Sequence, residues 1–529
     1  MKEVLFRSGR IATMAEAGDV QAVLCRDGAV VRAGEEAWVR QACASAPEEI
    51  DLGGARAVPA FVDSHSHITA YAQTLLLCSL SGASSFEEIV ARLKDFAARK
   101  PLKPGAWLTG FGYDHNTLAQ KRHPDRALLD AAFPDTPVML SHASGHMGVV
   151  NTAGLRALGI AEDAPDPAGG KLGRDAAGRL TGYLEETAFT QLGDKMERPT
   201  LEDTMAAVRN AQKAYARYGI LTTQDGLTRQ SEWGILSRMA GENKLLLDVP
   251  CYVDAQLYSG MDTAFSPYAH GYRNHLRAAG YKLFLDGSPQ GKTAWLTQPY
   301  EGGEERGYPV HTDEEVTSYV RKAVREGRQL LTHCNGDAAV EQLLRCCEGM
   351  APQVRPLRFT VIHGQCLRPD QLPRLKALGM YASFFTAHSW YWGDVHLHNL
   401  GRARAGRISP AGSALRLGVP FTFHQDTPVI EPNMLETMAC AVERVTSSGV
   451  PLDADEKIGV TDALRAVTLN AAAQTFEEDR KGSLAPGKQC DLLTLSDDVL
   501  AAPEKLRGAK VTRVFRGGEE LTQGLQPWT

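Results

Sequence analysis

The residues with the clearest chemical potential lie at the end of Ala57–His67, an apolar run that reads AVPAFVDSHSH. Side chains alternate between the two faces of an extended strand, so His65 and His67 are expected to project to the same side. Two neutral imidazoles that converge on one point suit a first-row metal such as zinc. Asp63 is expected on the same face, where its carboxylate could accept the second ring proton of a ligand histidine. The alternative interpretation is a pair of surface histidines near a strand end.

Further candidates follow later apolar runs, each placed just before a loop. They are Lys282 in KLFLDGS, His333 in LLTHCNGD, His363 in TVIHGQ and Asp426 in FTFHQDTP. Taken singly, each has an ordinary structural interpretation, since a core histidine, a turn aspartate or a lysine paired with Asp286 needs no metal. Taken together, these residue types recur at the ends of at least four apolar runs, which favours one shared site for one or two metal ions.

Lys282 needs separate treatment because a protonated ammonium has no lone pair with which to bind a metal. Burial lowers the pKa of a lysine and yields a nucleophilic amine. Such an amine can add carbon dioxide, and the resulting carbamate can bridge two metal ions as a long carboxylate. The alternative is an unmodified lysine in a salt bridge with Asp286.

Alternating strands and helices are needed to bring these residues together. From about residue 200 onward, apolar runs alternate with helical periods, which indicates βαβ units and a parallel sheet. The strand candidates are Val58–Val62, Gly219–Asp225, Asp248–Asp254, Tyr281–Asp286, Gln329–His333, Arg358–His363, Met380–Thr386 and Pro420–Asp426. The helix candidates include Asp203–Tyr218, Ser231–Asn243, Asp313–Glu326, Ala338–Gly349, Asp370–Leu378 and Met434–Val445. Eight strands predict an α/β fold with a closed (β/α)8 TIM-like barrel, whose active site lies at the carboxyl ends of the strands. An open, doubly wound sheet is the alternative.

The two ends of the chain read as short strands separated by Gly and Asp turns, with a probable hairpin over Val20–Ala33. Neither end is large enough for a core of its own, so residues 1–56 and 480–529 are expected to combine into one small composite β-sandwich domain. Residues 57–479 are then the barrel. The stretch after its first strand is far longer than an ordinary βα loop, which predicts an inserted subdomain at about residues 70–200.

Composition excludes several classes of protein. The 529 residues carry a net charge of −6, which argues against a nucleic-acid partner, because nucleic-acid-binding surfaces are strongly basic. No run approaches the apolar length that a membrane span needs, and the N-terminus lacks the apolar segment of a signal peptide. Ten cysteines without paired spacing are typical of reduced thiols. A cytoplasmic enzyme with a small-molecule substrate is the expectation, and a homodimer is possible at this size.

The order of HxH, lysine, histidine, histidine and aspartate resembles the amidohydrolase superfamily. The resemblance extends to KLFLDGSPQGKTAWL (Lys282–Leu296), SGHMGVVNTAGLRALGI (Ser144–Ile160), DALRAVTLNAAA (Asp462–Ala473) and GSLAPGKQCDLLTL (Gly482–Leu495), which are similar to the YtcJ-like branch that includes N-substituted formamide deformylases. It spans nearly the whole chain. The sequence departs from the family pattern at Ser144, where relatives commonly carry an acidic residue, and this departure is expected to alter the substrate pocket and not the chemistry.

The resemblance implies a metal-dependent barrel hydrolase that cleaves a non-peptide C–N bond, most simply a linear N-substituted amide or formamide, by metal-activated water. It implies one or two divalent ions, zinc in the first instance, and favours a carbamylated Lys282. The residues that match the family's metal positions are His65, His67, Lys282, His333, His363 and Asp426. Asp426 is also expected to move the proton from water to the leaving amine. His333 or His363 could alternatively stabilise the developing oxyanion.

Substrate contacts are expected from the insertion and the βα loops, where specificity generally resides. The candidates are Tyr113, His146, Asp286, Gln290 and Trp392, with Asp286 expected to orient Lys282 or a ligand histidine. Trp392 belongs to an aromatic cluster that suits an apolar or aromatic substrate group, although such aromatics could equally pack the insertion onto the barrel. Two other functions stay open, namely hydrolysis of a cyclic amide, carbamate or ester, and a non-catalytic metal-binding barrel.

Overall fold

The structure is a computed structural model that describes residues 2–99, 102, 105–115, 117–142, 146–190, 199–257 and 264–522. Ser144, singled out above, lies outside the described residues. The chain forms two compact units, one made of Met1–Ala70 with Arg209–Thr529 and the other of Tyr71–Val208.

The N-terminal part of the first unit consists mainly of short strands. Its elements are β1 (Glu3–Arg7), β2 (Arg10–Ala12), β3 (Asp19–Val20), β4 (Ala22–Arg26), β5 (Ala29–Gly34), α1 (Glu36–Arg40), β6 (Glu48–Asp51), β7 (Arg56–Pro59), β8 (Phe61–Val62) and α2 (Ile68–Thr74). The hairpin expected over this region is present as β4 and β5, which pair antiparallel with Arg26 opposite Ala29. Asp27 and Gly28 form its turn with φ of 48° and 84°, and such positive values at both central residues match the right-handed twist of the strands.

The second unit is built around one sheet. Its elements are β9 (Cys78–Ser79), α3 (Phe86–Arg99), β10 (Leu108–Tyr113), α4 (Arg126–Ala132), β11 (Val138–His142), β12 (Met147–Val150), α5 (Thr152–Ala157), β13 (Gly170–Arg174), β14 (Leu180–Glu186) and α6 (Thr187–Thr190). The six strands are ordered β13-β14-β12-β11-β10-β9. Phe86, Ile89 and Leu93 recur along one face of α3 and are buried in a core shared with Leu108 and Leu140, as expected for an amphipathic helix on a sheet.

Strands and helices alternate through the rest of the chain. The elements are α7 (Leu201–Arg217), β15 (Ile220–Thr222), β16 (Asp225–Thr228), α8 (Gln230–Gly241), β17 (Val249–Asp254), β18 (Leu276–Phe284), α9 (Asp313–Arg325), β19 (Gln329–Cys334), α10 (Asp337–Glu348), α11 (Ala351–Val354), β20 (Thr360–His363), α12 (Leu372–Ala377), β21 (Tyr381–Phe384), α13 (His388–Tyr391), α14 (Gly393–Gly406), α15 (Ala411–Leu417), β22 (Phe421–Phe423), α16 (Met434–Glu443), α17 (Val460–Ala466), α18 (Leu469–Gln474), β23 (Leu492–Leu495), β24 (Val511–Arg516) and β25 (Glu519–Glu520). Short 3-10 helices include Ser266–Tyr268, Arg355–Leu357, Ala454–Glu456 and Pro503–Lys505.

Strands β16 to β22 run parallel and form one sheet in the order β16-β17-β18-β19-β20-β21-β22. Strand β8 pairs in parallel with β15 in a separate two-stranded sheet. The register places Phe284 opposite His333 and Cys334 opposite His363. Because neighbouring parallel strands end at the same edge, this register brings the residues at their carboxyl ends together.

Two predicted strands are broken in the structure. The run Val58–Val62 is divided at Ala60, because β7 pairs with β2 and β23 whereas β8 pairs with β15. The run Gly219–Asp225 is divided into β15 and β16, and the residues between the two strands include Gln224, which contacts His65. Each break occurs where the chain leaves one set of backbone partners for another.

The two ends of the chain meet in a six-stranded sheet ordered β25-β24-β23-β7-β2-β3. A four-stranded sheet of β5, β4, β1 and β6 shares a buried core with it. Phe6 of the four-stranded sheet and Phe515 of the six-stranded sheet pack edge to face with ring centroids 5.0 Å apart. The far ends of the sequence therefore depend on each other for burial of their apolar side chains.

Among the described residues, none of the helices combines the length and the apolar character that crossing a membrane requires.

Candidate metal centre and active site

Three of the predicted ligands converge on one point, since the donor atoms of His65, His363 and Asp426 all lie within 4.8 Å of one another. Asp426 is central to this group. Its Oδ1 atom lies 3.5 Å from Nε2 of His65 and 3.3 Å from Nε2 of His67, and its Oδ2 atom lies 4.0 Å from Nε2 of His363. Three residues from three separate segments thus direct donors to a common position, and in the described part of the chain His67 adjoins this group through Asp426 without being one of the three.

The spacing of these donors fits a single small cation. Ligands about 2.1 Å from a tetrahedral zinc ion lie about 3.4 Å from one another. The two distances from Asp426 Oδ1 to the HxH nitrogens, 3.5 and 3.3 Å, match that value. Imidazole nitrogens with one carboxylate oxygen also form a donor set that zinc commonly accepts. The residues present therefore fit a divalent metal ion.

Lys282 lies beside this group on β18. Its Nζ atom is 2.9 Å from Nε2 of His65, and its side chain is almost completely buried. Burial lowers the pKa of Lys282 to about 7, so near neutral pH a large fraction of the side chain is the uncharged amine.

His333 lies slightly apart from the converging donors. Its ring centroid is 4.6 Å from that of His363, and its Nε2 atom lies 3.1 Å from the carbonyl oxygen of Gly287. Nδ2 of Asn335 lies 3.2 Å from the same Nε2 atom. Within the part of the chain that the structure describes, His333 is not one of the residues whose donors meet within 4.8 Å.

The orientation of His65 is set by Gln224 and not by Asp63. Nδ1 of His65 lies 3.4 Å from Oε1 of Gln224, which can only accept, so the proton is on Nδ1 and the lone pair of Nε2 faces the site. Asp63 instead accepts the backbone N–H of His65 over 3.3 Å. The prediction that Asp63 holds the ring proton is thus wrong in detail, because the strand ends at Val62 and the chain turns before the histidines.

A directional chain of hydrogen bonds sets the tautomer of His363. Ser64 donates its hydroxyl proton to the carbonyl oxygen of Phe423 over 2.9 Å, so its Oγ accepts from Ser383 over 3.0 Å. Ser383 has then used its own proton and must accept from Nδ1 of His424, 2.8 Å away. Nε2 of His424 is consequently an acceptor, and Nδ1 of His363 donates to it over 3.2 Å. The lone pair of His363 Nε2 is left facing Asp426.

Sequence reasoning missed His424, although it stands two positions before Asp426 in FTFHQDTP. The signal was present, since residues two positions apart are expected on one face of a strand, and the sequence predicts a strand over Pro420–Asp426. What could not be seen was the partner, because Ser383 lies on the neighbouring strand β21 and His363 on β20.

Burial dominates the electrostatics of the site. It lowers the pKa of His65 and His363 well below the ordinary range and that of His424 to about 3, so these imidazoles are neutral near pH 7. Burial by itself would raise the pKa of Asp426, but its interaction with His363 and a hydrogen bond to His67 keep the pKa well below its usual value. Neutral histidines around an ionised carboxylate are the protonation states that metal binding requires.

The backbone is unusual at two of the converging residues. His363 has φ of 74° and Asp426 has φ of 52°, both in the left-handed region that non-glycine residues rarely adopt. Such conformations cost of order 1–3 kcal/mol each and cluster at functional sites. Gly226 is needed for a steric reason, because a Cβ atom at this position would lie 2.5 Å from Cε1 of His65.

Of the two partners expected for Asp286, Lys282 or a ligand histidine, the described residues place it near a histidine. Its carboxylate accepts backbone N–H groups from Trp295, Asn335 and Gly336 at 2.7–3.0 Å and fastens two loops at the strand ends. It also lies 3.6 Å from Nε2 of His333. Burial raises the pKa of Asp286 to about 7. The carboxylate therefore organises the loops that surround His333.

The candidate substrate residues have different surroundings. Trp392 is half-buried and packs on Phe385, with ring centroids 6.1 Å apart, and Phe385 lies 6.3 Å from the ring of His363. Oε1 of Gln290 is buried and has no hydrogen-bond partner in the described part of the chain.

Two other candidates lie in the second unit. Tyr113 is fully buried in its core and hydrogen-bonds to His123 over 3.0 Å, which is the environment of a packing residue. His146 is exposed and its Nδ1 atom lies 3.1 Å from a carboxylate oxygen of Glu186.

Comparison with family models matches residues 48–521 to the amidohydrolase family. The chain belongs to the amidohydrolase family. The resemblance read from the sequence motifs is thereby confirmed, and so is the expectation of an enzyme that acts on C–N bonds other than peptide bonds.

Curated relatives match this amidohydrolase along almost its entire length. It is 27% identical to an N-substituted formamide deformylase of Arthrobacter pascens over 98% of each chain. It is also 27% identical to the YtcJ protein of Bacillus subtilis, over 98% of this chain and 99% of that one. Among solved structures, an uncharacterized metal-dependent hydrolase of Pyrococcus furiosus is similar with a TM-score of 0.75 and 25% identity, covering 94% of this chain and 100% of that chain. The α/β fold of the amidohydrolase is therefore that of its family.

Proposed function

We propose that this amidohydrolase hydrolyses a linear N-substituted amide, with a formamide as the simplest substrate, at a divalent metal centre. The observation that carries the proposal is the convergence of His65, His363 and Asp426 donors within 4.8 Å, with the Nζ atom of Lys282 2.9 Å from His65. The similarity to a formamide deformylase over nearly the full length supports the substrate class.

The metal would be held by His65, His67, His363 and Asp426, with His333 and a carbamylated Lys282 as further ligands. Zinc is favoured because the donors are imidazole nitrogens and a carboxylate at tetrahedral spacing. A divalent ion bound there would supply Lewis acidity that polarises the substrate carbonyl and increases the acidity of water in the site.

Asp426 is the residue that we assign to proton transfer. In the reaction water adds to the carbonyl carbon, the C–N bond breaks, and the nitrogen must gain a proton because an amide anion is a very poor leaving group. Asp426 is ionised, partly accessible to solvent and central to the donors, so it can take the proton of the attacking water and pass it to the nitrogen. General acid–base assistance of this kind contributes about 10²–10⁴-fold to the rate.

We assign Lys282 the role of a carbamate ligand. Formation requires the neutral amine, whose nitrogen forms a bond to the carbon of carbon dioxide and releases one proton. Burial makes that amine available, since it lowers the pKa of Lys282 to about 7. The imidazole of His65, 2.9 Å from Nζ, stands beside the position that the carbamate oxygens would occupy.

Substrate recognition is assigned to the loops after β18 and β21. The unpartnered Oε1 of Gln290 is suited to accept an amide N–H, because a buried acceptor without a donor costs free energy that such a ligand would recover. The aromatic packing from Trp392 through Phe385 to His363 is suited to an apolar or aromatic N-substituent. An N-benzyl formamide should accordingly have a higher kcat/KM than its N-methyl analogue.

We further propose that β8 and β15 close the seven-stranded sheet into a (β/α)8 barrel, and that the two terminal sheets form a composite β-sandwich domain. Support for closure comes from backbone hydrogen bonds, since Asp426 donates to the carbonyl of His65 over 3.3 Å and His67 donates to that of Thr427 over 2.9 Å. Near the opposite edge of the seven-stranded sheet, Thr222 of β15 forms a parallel bridge with Asp248, the residue before β17.

The proposal is tested by metal analysis together with assay. Protein supplied with zinc is measured for metal content and formamide hydrolysis, with Lys282→Ala beside the wild type. Two equivalents in the wild type and at least one fewer in Lys282→Ala support a bridging carbamate. Equal metal content in the wild type and Lys282→Ala would indicate that Lys282 is an unmodified lysine. Wild-type protein without metal at the barrel site, or with metal but no hydrolysis of any acyclic amide, would refute the proposed function.

A further inference from the structure

A second cluster of side chains that could bind a metal lies in the unit Tyr71–Val208. It shares no residue with the site of His65, His363 and Asp426, which is called the barrel site below. Asp114 and His115 directly follow β10, and His142 is the last residue of β11. These strands are parallel neighbours, with Tyr113 opposite His142 in the register. The three side chains therefore come from the carboxyl ends of adjacent parallel strands, the arrangement that gathers functional groups at one sheet edge.

The donor atoms of the cluster form a small triangle. Nδ1 of His115 lies 3.2 Å from Nε2 of His142, and Oδ1 of Asp114 lies 3.5 Å from the same Nε2 and 3.8 Å from that Nδ1. Ligands of one tetrahedral zinc ion are separated by about 3.4 Å. The same three atoms satisfy all three separations, so one cation could contact them together without rearrangement of the strands.

The cluster is partly open to solvent. The side chains of Asp114 and His115 are 38% and 29% exposed, whereas that of His142 is 9% exposed. Three protein ligands with one position open to solvent is a common coordination for zinc.

We propose that Asp114, His115 and His142 form a second divalent-metal site, selective for zinc-like cations, within the inserted unit. It goes beyond the proposed function, because it shares no residue with the barrel centre and its occupancy does not depend on carbamylation of Lys282. The bound ion would fasten the loop after β10 to the end of β11. The competing interpretation is a metal-free cluster in which the same atoms form hydrogen bonds.

A neighbouring histidine provides a matched control. The ring of His123 lies 4.1 Å from that of His115, but its Nδ1 atom is engaged with the hydroxyl of Tyr113 over 3.0 Å. It is not part of the donor triangle among the described residues. Replacing His123 thus removes an imidazole from the same surroundings without removing a proposed ligand.

The test is zinc stoichiometry of the full-length protein. Metal is removed with a chelator, Zn²⁺ alone is returned at a free concentration that saturates the wild type, and bound zinc is measured by elemental analysis. His115→Ala, His142→Ala and Asp114→Asn should each bind one equivalent fewer than the wild type, whereas His123→Ala should bind the wild-type amount. The expected loss of one equivalent relative to the wild type is the same whether the site of His65, His363 and Asp426 binds one ion or two.

Other outcomes would overturn the proposal. Equal zinc content in all five proteins would show that the cluster is a hydrogen-bonded group without a metal. If His123→Ala also bound one equivalent fewer, the assignment of Asp114, His115 and His142 as the three ligands would be contradicted. Far-UV circular dichroism and thermal unfolding identify any variant that fails to fold. If an alanine variant does not fold, the zinc content of Asp114→Asn, an isosteric change at a partly exposed position, decides between the two interpretations. Loaded with Co²⁺, the wild type should show more tetrahedral d–d absorption than His115→Ala, and equal spectra would also contradict the site.

Discussion

Removing the hydroxyl of Ser383 should weaken metal binding at the site of His65, His363 and Asp426, although Ser383 is not one of the proposed metal ligands. Ser383 and His424 are both fully buried, and Oγ of Ser383 accepts the Nδ1 proton of His424 over 2.8 Å. In Ser383→Ala that proton has no acceptor unless His424 changes tautomer. A proton on Nε2 of His424 would face Nδ1 of His363, 3.2 Å away, and would force His363 to carry its own proton on Nε2.

The size of the effect follows from the buried donor. In metal-free Ser383→Ala, moving the proton of His424 from Nδ1 to Nε2 avoids an unpaired N–H group. Metal binding needs the lone pair of His363 Nε2, so the proton of His424 must return to Nδ1, where it has no acceptor. An unsatisfied buried donor costs about 1–3 kcal/mol. At about 1.4 kcal/mol per factor of ten, zinc affinity should fall roughly 5- to 150-fold. Losses of about 10–100-fold are typical when an outer-shell partner of a metal ligand is removed.

The assay is a competition titration of metal-free protein against a chromophoric zinc chelator at pH 7.5. Ser64→Ala is the matched control, because it removes the next hydroxyl in the chain and leaves Ser383 able to accept from His424, so its loss of affinity should be clearly smaller. Ser383→Thr keeps the acceptor and should restore most of the affinity. Wild-type affinity in Ser383→Ala, or equal losses in Ser383→Ala and Ser64→Ala, would refute the reasoning.

Three further predictions concern other groups. Asp426→Asn should keep much of the bound metal but lose about 10²–10⁴-fold in kcat, measured by amine release, and near wild-type turnover would remove Asp426 from proton transfer. Because the pKa of Lys282 is lowered to about 7, activation of metal-free protein by zinc at an equal concentration of dissolved carbon dioxide should be faster at pH 8 than at pH 6, and the same rate at both would contradict a carbamate. Asp248 is buried against Lys481 at 2.5 Å and Arg516 at 2.8 Å, so Asp248→Asn should lower the free energy of unfolding by about 3–5 kcal/mol in denaturant titrations. Burial would raise the pKa of Asp248, but Lys481 holds this pKa well below the ordinary 3.8. The stabilisation by the ionised carboxylate is therefore complete above pH 3.8, and the difference in unfolding free energy between wild type and Asp248→Asn should shrink as the pH falls below 3.8. A difference that stays constant with pH would contradict the assignment.

Much of the local structure could be predicted from periodicity. The helix expected over Asp313–Glu326 is found as Asp313–Arg325, and the strand expected over Gln329–His333 is found as Gln329–Cys334. Apolar spacing determines these elements because each must bury one face, and the side chain of Thr312 caps the helix by accepting the N–H of Glu315. The strand ends predicted in this way also indicated His333 and Asp426 as candidates for one site.

The sequence by itself determined which residue types could bind a metal, the family, and the alternation of strands and helices, because these depend on residue identity and on local spacing. Only the tertiary structure decided the partners: Gln224 and not Asp63 at His65, and His424 with Ser383 behind His363. These contacts join different strands or loops, and a contact between strands depends on register, on breaks such as that at Ala60 and on how deeply each side chain is buried. Residue periodicity specifies the face on which a side chain lies, but the atom opposite it is chosen when the strands pair.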